Sequence, residues 1–454
     1  DPLLNGTHVL GFLDQMMMAL LGKHYTNYFS RPLFSRAWRP LLGLILGLLT
    51  LAICIPSYAD NLPDALDQVP GTRIEVRPAD LPRPYETGSV SNSASRVSRP
   101  DGAVLRVPSG FTARLFAEGL DHARWLMVAA NGDVFLAEPR AGRVTLLRDA
   151  DGDGRAELRK TFLDGLDDPH GMAVSGGFFH VADSRGVWRV PYTPGDTRPR
   201  AVAVRITAPG AFGDSGGHWT RNLAFSRDGR RFYVAIGSES NIAVEAAPRA
   251  TVQEFNADGS GQKTFADGLR NPVGIAFYPG SDDLYVVVNE RDGLGDGLVP
   301  DYLTRLSRGG FYGWPYSYIG PNPQPGYGDR RPDLVARAIV PDVLFRAHSA
   351  PLGLVFYEGA QFPAAYRGDA FVALHGSWNA ARPRGYFVAR VPFENGRPKG
   401  TYEIFASGFW RDTDRRDGNA YVMGRPAGLA VARDGALLIA DDAGSAIWRV
   451  AYGR

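Results

Sequence analysis

Six phrases in this sequence bring together residue types that bind anions and move protons. The first is Gly216-Gly217-His218-Trp219-Thr220-Arg221-Asn222, followed by Gly268-Leu269-Arg270-Asn271-Pro272. Next come Asn289-Glu290-Arg291-Asp292-Gly293 with Asp301 beyond it, His348, His375-Gly376-Ser377-Trp378-Asn379, and Gly424-Arg425-Pro426. A fixed imidazole such as that of His218 can take a proton from a hydroxyl. The guanidinium groups of Arg270 and Arg425 suit carboxylates and polarised carbonyls, and a hard cation takes oxygen donors from an acidic, glycine-containing turn. A separate run, Asp149-Ala-Asp151-Gly-Asp153-Gly154, sets carboxylates at alternate positions like the start of a calcium loop. Its twelfth position is Lys160 rather than Glu, so it is no EF-hand, and a structural calcium and a plain acidic turn both remain open.

These residues have a common frame. One phrase, Pro-x-Gly followed by two or three apolar residues, recurs at Pro169-His-Gly-Met-Ala-Val, Pro272-Val-Gly-Ile-Ala-Phe, Pro351-Leu-Gly-Leu-Val-Phe and Pro426-Ala-Gly-Leu-Ala-Val. Arg124-Trp-Leu-Met-Val and Arg221-Asn-Leu-Ala-Phe are weaker copies. Each is followed by a turn and an apolar run: Asp133-Val-Phe-Leu-Ala-Glu, Phe178-Phe-His-Val-Ala-Asp, Arg231-Phe-Tyr-Val-Ala-Ile, Asp283-Leu-Tyr-Val-Val-Val, Asp369-Ala-Phe-Val-Ala-Leu and Ala436-Leu-Leu-Ile-Ala-Asp. Such β-branched and aromatic runs behind turn residues read as strands. Six copies predict an all-β chain folded as a six-bladed β-propeller over residues 102–454, with Val104–Leu120 supplying a strand that closes the ring against the last blade. In that architecture, the residues just before each Pro-x-Gly phrase face the mouth of the central channel.

The 454 residues, 44% hydrophobic and 22% charged, with 54 Gly and 33 Pro, fit a turn-rich globular protein rather than a disordered or multi-span chain. Four basic and two acidic side chains in residues 1–59 account for the whole formal charge of +2, which leaves no basic excess for nucleic acid. The one cysteine, Cys54, lies in an apolar run at 40–55 behind Arg31, Arg36 and Arg39. That run with its small-residue exit at Ala59 reads as a secretory signal peptide, residues 1–59, with sequence upstream of Met16–Met18 as an extension. The alternative, an uncleaved segment, would be the protein's one membrane contact. Either way the protein is expected to be periplasmic or secreted. Residues 60–101, rich in Pro, Ser and Asn, read as an extended leader or linker without packed elements.

The run Leu269-Arg-Asn-Pro-Val-Gly-Ile-Ala-Phe followed by Gly309-Gly-Phe-Tyr-Gly-Trp-Pro resembles the pyrroloquinoline quinone (PQQ) dependent sugar dehydrogenases. With His375-Gly-Ser-Trp-Asn and Gly424-Arg-Pro-Ala-Gly-Leu-Ala the likeness is to the sorbosone/aldose dehydrogenase branch, over about residues 105–453. The resemblance implies PQQ and Ca2+ as cofactors, a small sugar or aldehyde substrate, and hydride transfer from its C–H to the quinone. It makes His218 the general base and Arg270 the group polarising the quinone carbonyl. Asn271 becomes a cofactor contact, and Arg425 a partner of the cofactor's carboxylates. It places calcium on the main-chain carbonyls of Asp292 and Gly293, near Asp301. Where glucose-oxidising members carry a cofactor-binding lysine, this chain has Pro383 between Arg382 and Arg384, either of which would have to supply the charge. Trp314 and Trp378 read as packing residues, and Tyr316–Asp342 and Trp410–Met423 as the loops that set sugar specificity. No Cys-x-x-Cys-His haem site occurs, so electrons must leave to an external acceptor. The competing readings are a calcium-dependent propeller lactonase and a non-catalytic binding propeller.

Overall fold

The computed structural model describes residues 67–214, 216–411 and 418–453, all within one compact unit, Ala59–Arg454. The predicted signal peptide lies outside the described residues. No helix among the described residues is long and apolar enough to cross a membrane.

The chain is all-β and builds six sheets, each with four antiparallel strands hydrogen-bonded in succession; Gly310–Phe311 adds a parallel fifth strand beside Lys263–Asp267. Sheet one comprises Trp125–Val128, Val134–Glu138, Arg143–Arg148 and Leu158–Leu163. Sheet two comprises Met172–Ser175, Phe178–Asp183, Gly186–Pro191 and Val204–Arg205, and sheet three Arg221–Phe225, Arg231–Ile236, Thr251–Asn256 and Lys263–Asp267. Sheet four holds Asn271–Phe277, Leu284–Asn289, Tyr302–Arg305 and Val343–Leu344; sheet five holds Pro351–Phe356, Ala370–Leu374, Phe387–Val391 and Thr401–Ala406. Sheet six takes three strands from the C-terminal end, Pro426–Val431, Leu437–Asp441 and Ala446–Tyr452, and its fourth, Phe111–Glu118, from before sheet one. The paired runs expected as the first two strands of each repeat are those strands.

The second strands are buried on both faces; Val134–Glu138, Ala370–Leu374 and Leu437–Asp441 have no exposed residue. Alternate side chains therefore serve two different cores. Ile439 packs with Phe371 and Phe405 of sheet five, while its neighbours Leu438 and Ala440 pack with Leu126 and Leu136 of sheet one. Every sheet shares an apolar cluster with the next in this way, and sheet six shares one with sheet one.

The glycine of Pro-x-Gly has a steric cause. A Cβ on Gly353 would stand 2.3 Å from the Ala427 carbonyl oxygen of the neighbouring first strand, and one on Gly274 would stand 2.4 Å from that of Leu352. First strands of successive sheets thus touch backbone to backbone, which a side chain forbids. The pairing register also shifts at these phrases.

One expectation is corrected. The leader is packed from residue 67 onward. Arg73–Glu75 adds a fifth antiparallel strand to the outer edge of sheet five, Ser95–Arg96 pairs with Tyr421–Val422, and Ile74 and Val97 are buried in the cores. An unpaired sheet edge accepts a short extended segment of such composition.

Replacing Gly353 by Ala is expected to destabilise the fold by about 1–3 kcal/mol through overpacking. Gly88→Ala, at an exposed site with nothing within 4 Å, should stay within about 0.5 kcal/mol of wild type. Urea unfolding midpoints check both.

Candidate functional site

In each antiparallel sheet the start of the first strand and the end of the second lie at the same edge. His218, Arg270, His348 and Arg425 precede or open the first strands of sheets three to six, and Ser238, Glu290, His375 and Asp442 follow the second strands. Strand pairing alone therefore gathers these groups on one side of the molecule.

His218 and Arg270 are joined through Ser238. The His218 amide donates to the Ser238 carbonyl (3.0 Å), and the Ser238 amide donates to that of Arg270 (2.7 Å). The His218 ring lies with Nδ1 2.8 Å from the Ser238 carbonyl oxygen. A carbonyl only accepts, so Nδ1 carries the proton and Nε2 keeps its lone pair. Burial, and then the positive charge of Arg270, lower the His218 pKa to about 3. The imidazole is thus neutral at ordinary pH values, with Nε2 unprotonated.

Arg270 is buried and held from three directions: Nε donates to the Asn241 carbonyl (3.1 Å), Nη1 to those of Asn289 (3.3 Å) and Glu290 (2.7 Å), and Nη2 to Asn241 Oδ1 (3.0 Å). Beside it Asn271 is buried with Oδ1 unpartnered. Gly237 separates Asn271 from His218, and a Cβ there would meet Asn271 Oδ1 at 2.4 Å and His218 Cβ at 2.6 Å. A buried amide oxygen without a donor is rare in a folded protein and suits a ligand that brings one.

Asp292 lies 3.6 Å from Arg270 and 3.4 Å from His348, and accepts from Asn379 Nδ2 at 2.6 Å. Burial acts to raise its pKa, but His348, Arg270 and Asn379 outweigh it and hold the carboxyl below its ordinary range. The Asp292 main-chain carbonyl, one of the two oxygens the resemblance assigns to calcium, already accepts from Arg291 Nε (2.8 Å) and Asn241 Nδ2 (3.0 Å). Gly293 follows it with φ +91°. Asp301 is fully buried beneath, accepting from the amides of Glu290 (2.8 Å) and Ala350 (2.7 Å); burial pushes it up to about 6.

Across the same edge Arg425 donates to the carbonyls of His375 (3.0 Å) and Gly376 (2.5 Å). It lines a cavity of about 650 Å³ together with Arg96, Arg124, Arg140 and Trp219, the residue following His218. The Arg124 guanidinium lies over the Trp219 ring, 5.2 Å from its centroid. Asp442 organises this corner: it accepts from Arg124, lies 2.9 Å from His375 Nε2 and 3.6 Å from His122, and is held well below the carboxylate range despite burial.

Arg425 is the expected cofactor-binding residue that lines this cavity; Arg382, Arg384 and the 149–153 loop lie elsewhere. Arg384 is committed to Asp296 and Arg382, exposed, pairs with Asp67; both line a different cavity, of about 770 Å³, between the leader and sheet five. Asp149, Asp151 and Asp153 gather with Glu157, their ligand oxygens all within 4.8 Å of one another. That loop joins the third and fourth strands of sheet one, at the opposite edge from His218. Trp314 is buried as a packing residue, but Trp378 is half exposed.

Arg124, Asp442, Trp219, Asn241 and Glu157 escaped the sequence reading. Arg124 and Asp442 had a signal, since they occupy, in sheets one and six, the edge positions that hold functional residues elsewhere. Asn241 had none, because its role depends on a loop conformation.

A TrAA12-like family model matches residues 105–298 and 333–452, and the chain belongs to that family. It is 26% identical over 359 residues to a pyrroloquinoline quinone-dependent pyranose dehydrogenase of Coprinopsis cinerea, covering 68% of this chain and 46% of that protein. An uncharacterised Borreliella burgdorferi protein is 32% identical over 238 residues, covering 52% of this chain and 61% of that one. The chain thus spans about half to three-fifths of the length of these relatives. Among solved structures it is similar to the holo form of the Coprinopsis cinerea pyranose dehydrogenase PQQ domain, with a TM-score of 0.65 at 22% identity over 79% of this chain and 99% of that one. It is likewise similar to the calcium structure of the Trichoderma reesei family AA12 enzyme, with a TM-score of 0.64 at 19% identity over 77% and 97%.

If Nδ1 is the protonated nitrogen and burial keeps the ring neutral, the His218 imidazole signal should hold its neutral position from about pH 8 to about pH 4.5, where an ordinary histidine is already charged. Because the folded-state pKa is depressed, its contribution to stability should be full above the unfolded value and fall as pH drops from 6.5 toward about 3. NMR titration against a His218→Gln control assigns the signal.

Proposed function

We propose that the protein is a quinoprotein oxidoreductase that oxidises a sugar or sugar aldehyde using PQQ, built on a six-bladed β-propeller. The six clusters shared by successive sheets, the last between sheets six and one, support the closed ring. The observation that carries the functional reading is the union, at one edge, of a neutral imidazole, a carbonyl-anchored guanidinium and an unpartnered amide oxygen. The sugar dehydrogenases among its relatives favour the same substrate class.

PQQ, when bound, supplies an electron-accepting quinone. Arg270, with Asn271 beside it, would face the quinone carbonyl, and Arg425 with Arg124 would hold the carboxylates. His218 Nε2 takes the hydroxyl proton of the substrate while the Nδ1–H bond to Ser238 fixes the ring. Arg270 needs no reorientation to stabilise negative charge, since three main-chain carbonyls already set its plane. Four arginines line the cavity beside Trp219 together with Asp121, Asp168 and Asp442; Arg425, which pairs with no carboxylate among the described residues, suits an anionic cofactor better than a neutral lactone.

Calcium is retained in this reading, near Asp292 and Gly293. A cation drawing on the Asp292 carbonyl requires the Arg291 and Asn241 donors to turn aside. The basic flank and apolar run at 31–55 favour export, so the electron acceptor is sought outside the cytoplasm.

The test adds PQQ and calcium chloride to the cofactor-free protein and follows dye reduction with a panel of aldoses. Wild type should turn over, and His218→Gln should lose about a hundredfold or more in kcat while binding PQQ as tightly as wild type. Absence of PQQ binding, or lactone hydrolysis by cofactor-free protein, would overturn the reading.

A further inference from the structure

We infer that Trp378 is a substrate-stacking residue at the rim of the site, whose indole face receives the C–H face of a pyranose ring. This rests on the sugar-oxidising reading above and adds a specificity residue to it.

Exposure changes abruptly along three consecutive residues. Ser377 is 1% exposed and Asn379 6%, yet Trp378 between them is 50% exposed. Water-exposed tryptophan is unfavourable, and a mobile loop could fold it away. This loop cannot. The Ser377 amide donates to the Arg384 carbonyl (2.9 Å), Ser377 Oγ accepts from the Arg384 amide (3.0 Å), and the Ser377 carbonyl accepts from Tyr386. The Trp378 carbonyl accepts from the Asn92 amide (2.6 Å), and Asn92 Nδ2 also donates to the carbonyls of Ala380 (2.9 Å) and Gly418 (2.8 Å). Two segments of chain, at Asn92 and at Arg384–Tyr386, therefore fix this backbone while its largest side chain stays in solvent.

The ends of the same loop place it beside the chemistry. Arg425 donates to the carbonyls of His375 and Gly376 at one end. At the other, Asn379 bonds the Asp292 carboxylate, which faces Arg270. The loop thus bridges the two guanidinium groups assigned to the cofactor, and Trp378 stands on that bridge. A rigid aromatic face at the edge of a strongly polar site offers what a sugar needs besides hydrogen bonds, a flat apolar surface for its axial C–H groups. A protein electron acceptor could also cover such a face, and the two differ in which Michaelis constant responds.

The experiment compares wild type, Trp378→Ala and Trp378→Phe, each reconstituted with PQQ and calcium, on D-glucose, D-galactose, D-mannose and D-xylose with a dye acceptor. For whichever sugars are oxidised, Trp378→Ala should raise the sugar KM about tenfold with kcat held within about twofold, and Trp378→Phe should recover much of the loss. PQQ affinity should be unchanged. An unaltered sugar KM, or a change confined to the acceptor, overturns the inference. If wild type oxidises none of the four, the sugar-dehydrogenase reading fails, and saturation-transfer NMR with the same sugars still decides Trp378. Transfer to wild type that is lost in Trp378→Ala upholds it; equal transfer, or none, refutes it.

Discussion

Two guanidinium groups held by main-chain carbonyls are what the rest of this site depends on. Arg270 and Arg425 each donate to carbonyls at strand ends, and among the described residues Arg425 forms no ion pair. A carboxylate partner would fix a guanidinium and cancel its charge together. A carbonyl fixes it and leaves the charge to act on whatever arrives. Arg270, which also lies 3.6 Å from the Asp292 carboxylate, opposes the protonation of His218.

Such carbonyls are free to accept only where a strand has stopped pairing, and the antiparallel sheet puts its unpaired ends where the next first strand begins. The glycine contacts complete the arrangement. Because Gly274 and Gly353 admit neighbouring backbones within what would be a Cβ radius, the edges of adjacent sheets come close enough for one sheet's arginine to reach its neighbour's carbonyls. Arg425 of sheet six reaches His375 and Gly376 of sheet five.

Much of this was legible in the sequence because it is periodic. The six paired runs became the first two strands of six sheets, and Val104–Leu120 supplied the strand that joins sheet six. The residues ahead of each first strand share an edge, which is where His218, Arg270 and Arg425 stand. What escaped is set by non-periodic backbone. Pro383 stood in the expected lysine position, but its flanking arginines turn to Asp296 and Asp67. The guanidinium that joins Arg425 is Arg124 of sheet one, far away in sequence. Trp378 read as a packing residue, and its ring is instead half exposed. The leader read as unpacked because an edge strand of three residues leaves no pattern.

The proposed site for an anionic quinone at this edge rests on the positioned charge of Arg425, which pairs with no carboxylate among the described residues. Its most direct test is an equilibrium titration of the full chain with PQQ, followed by fluorescence quenching, for wild type, Arg425→Lys and Arg425→Gln. The account predicts saturable binding by wild type, weaker binding by the lysine variant, and a loss of about tenfold or more in the glutamine variant. Equal affinity in all three proteins would contradict it.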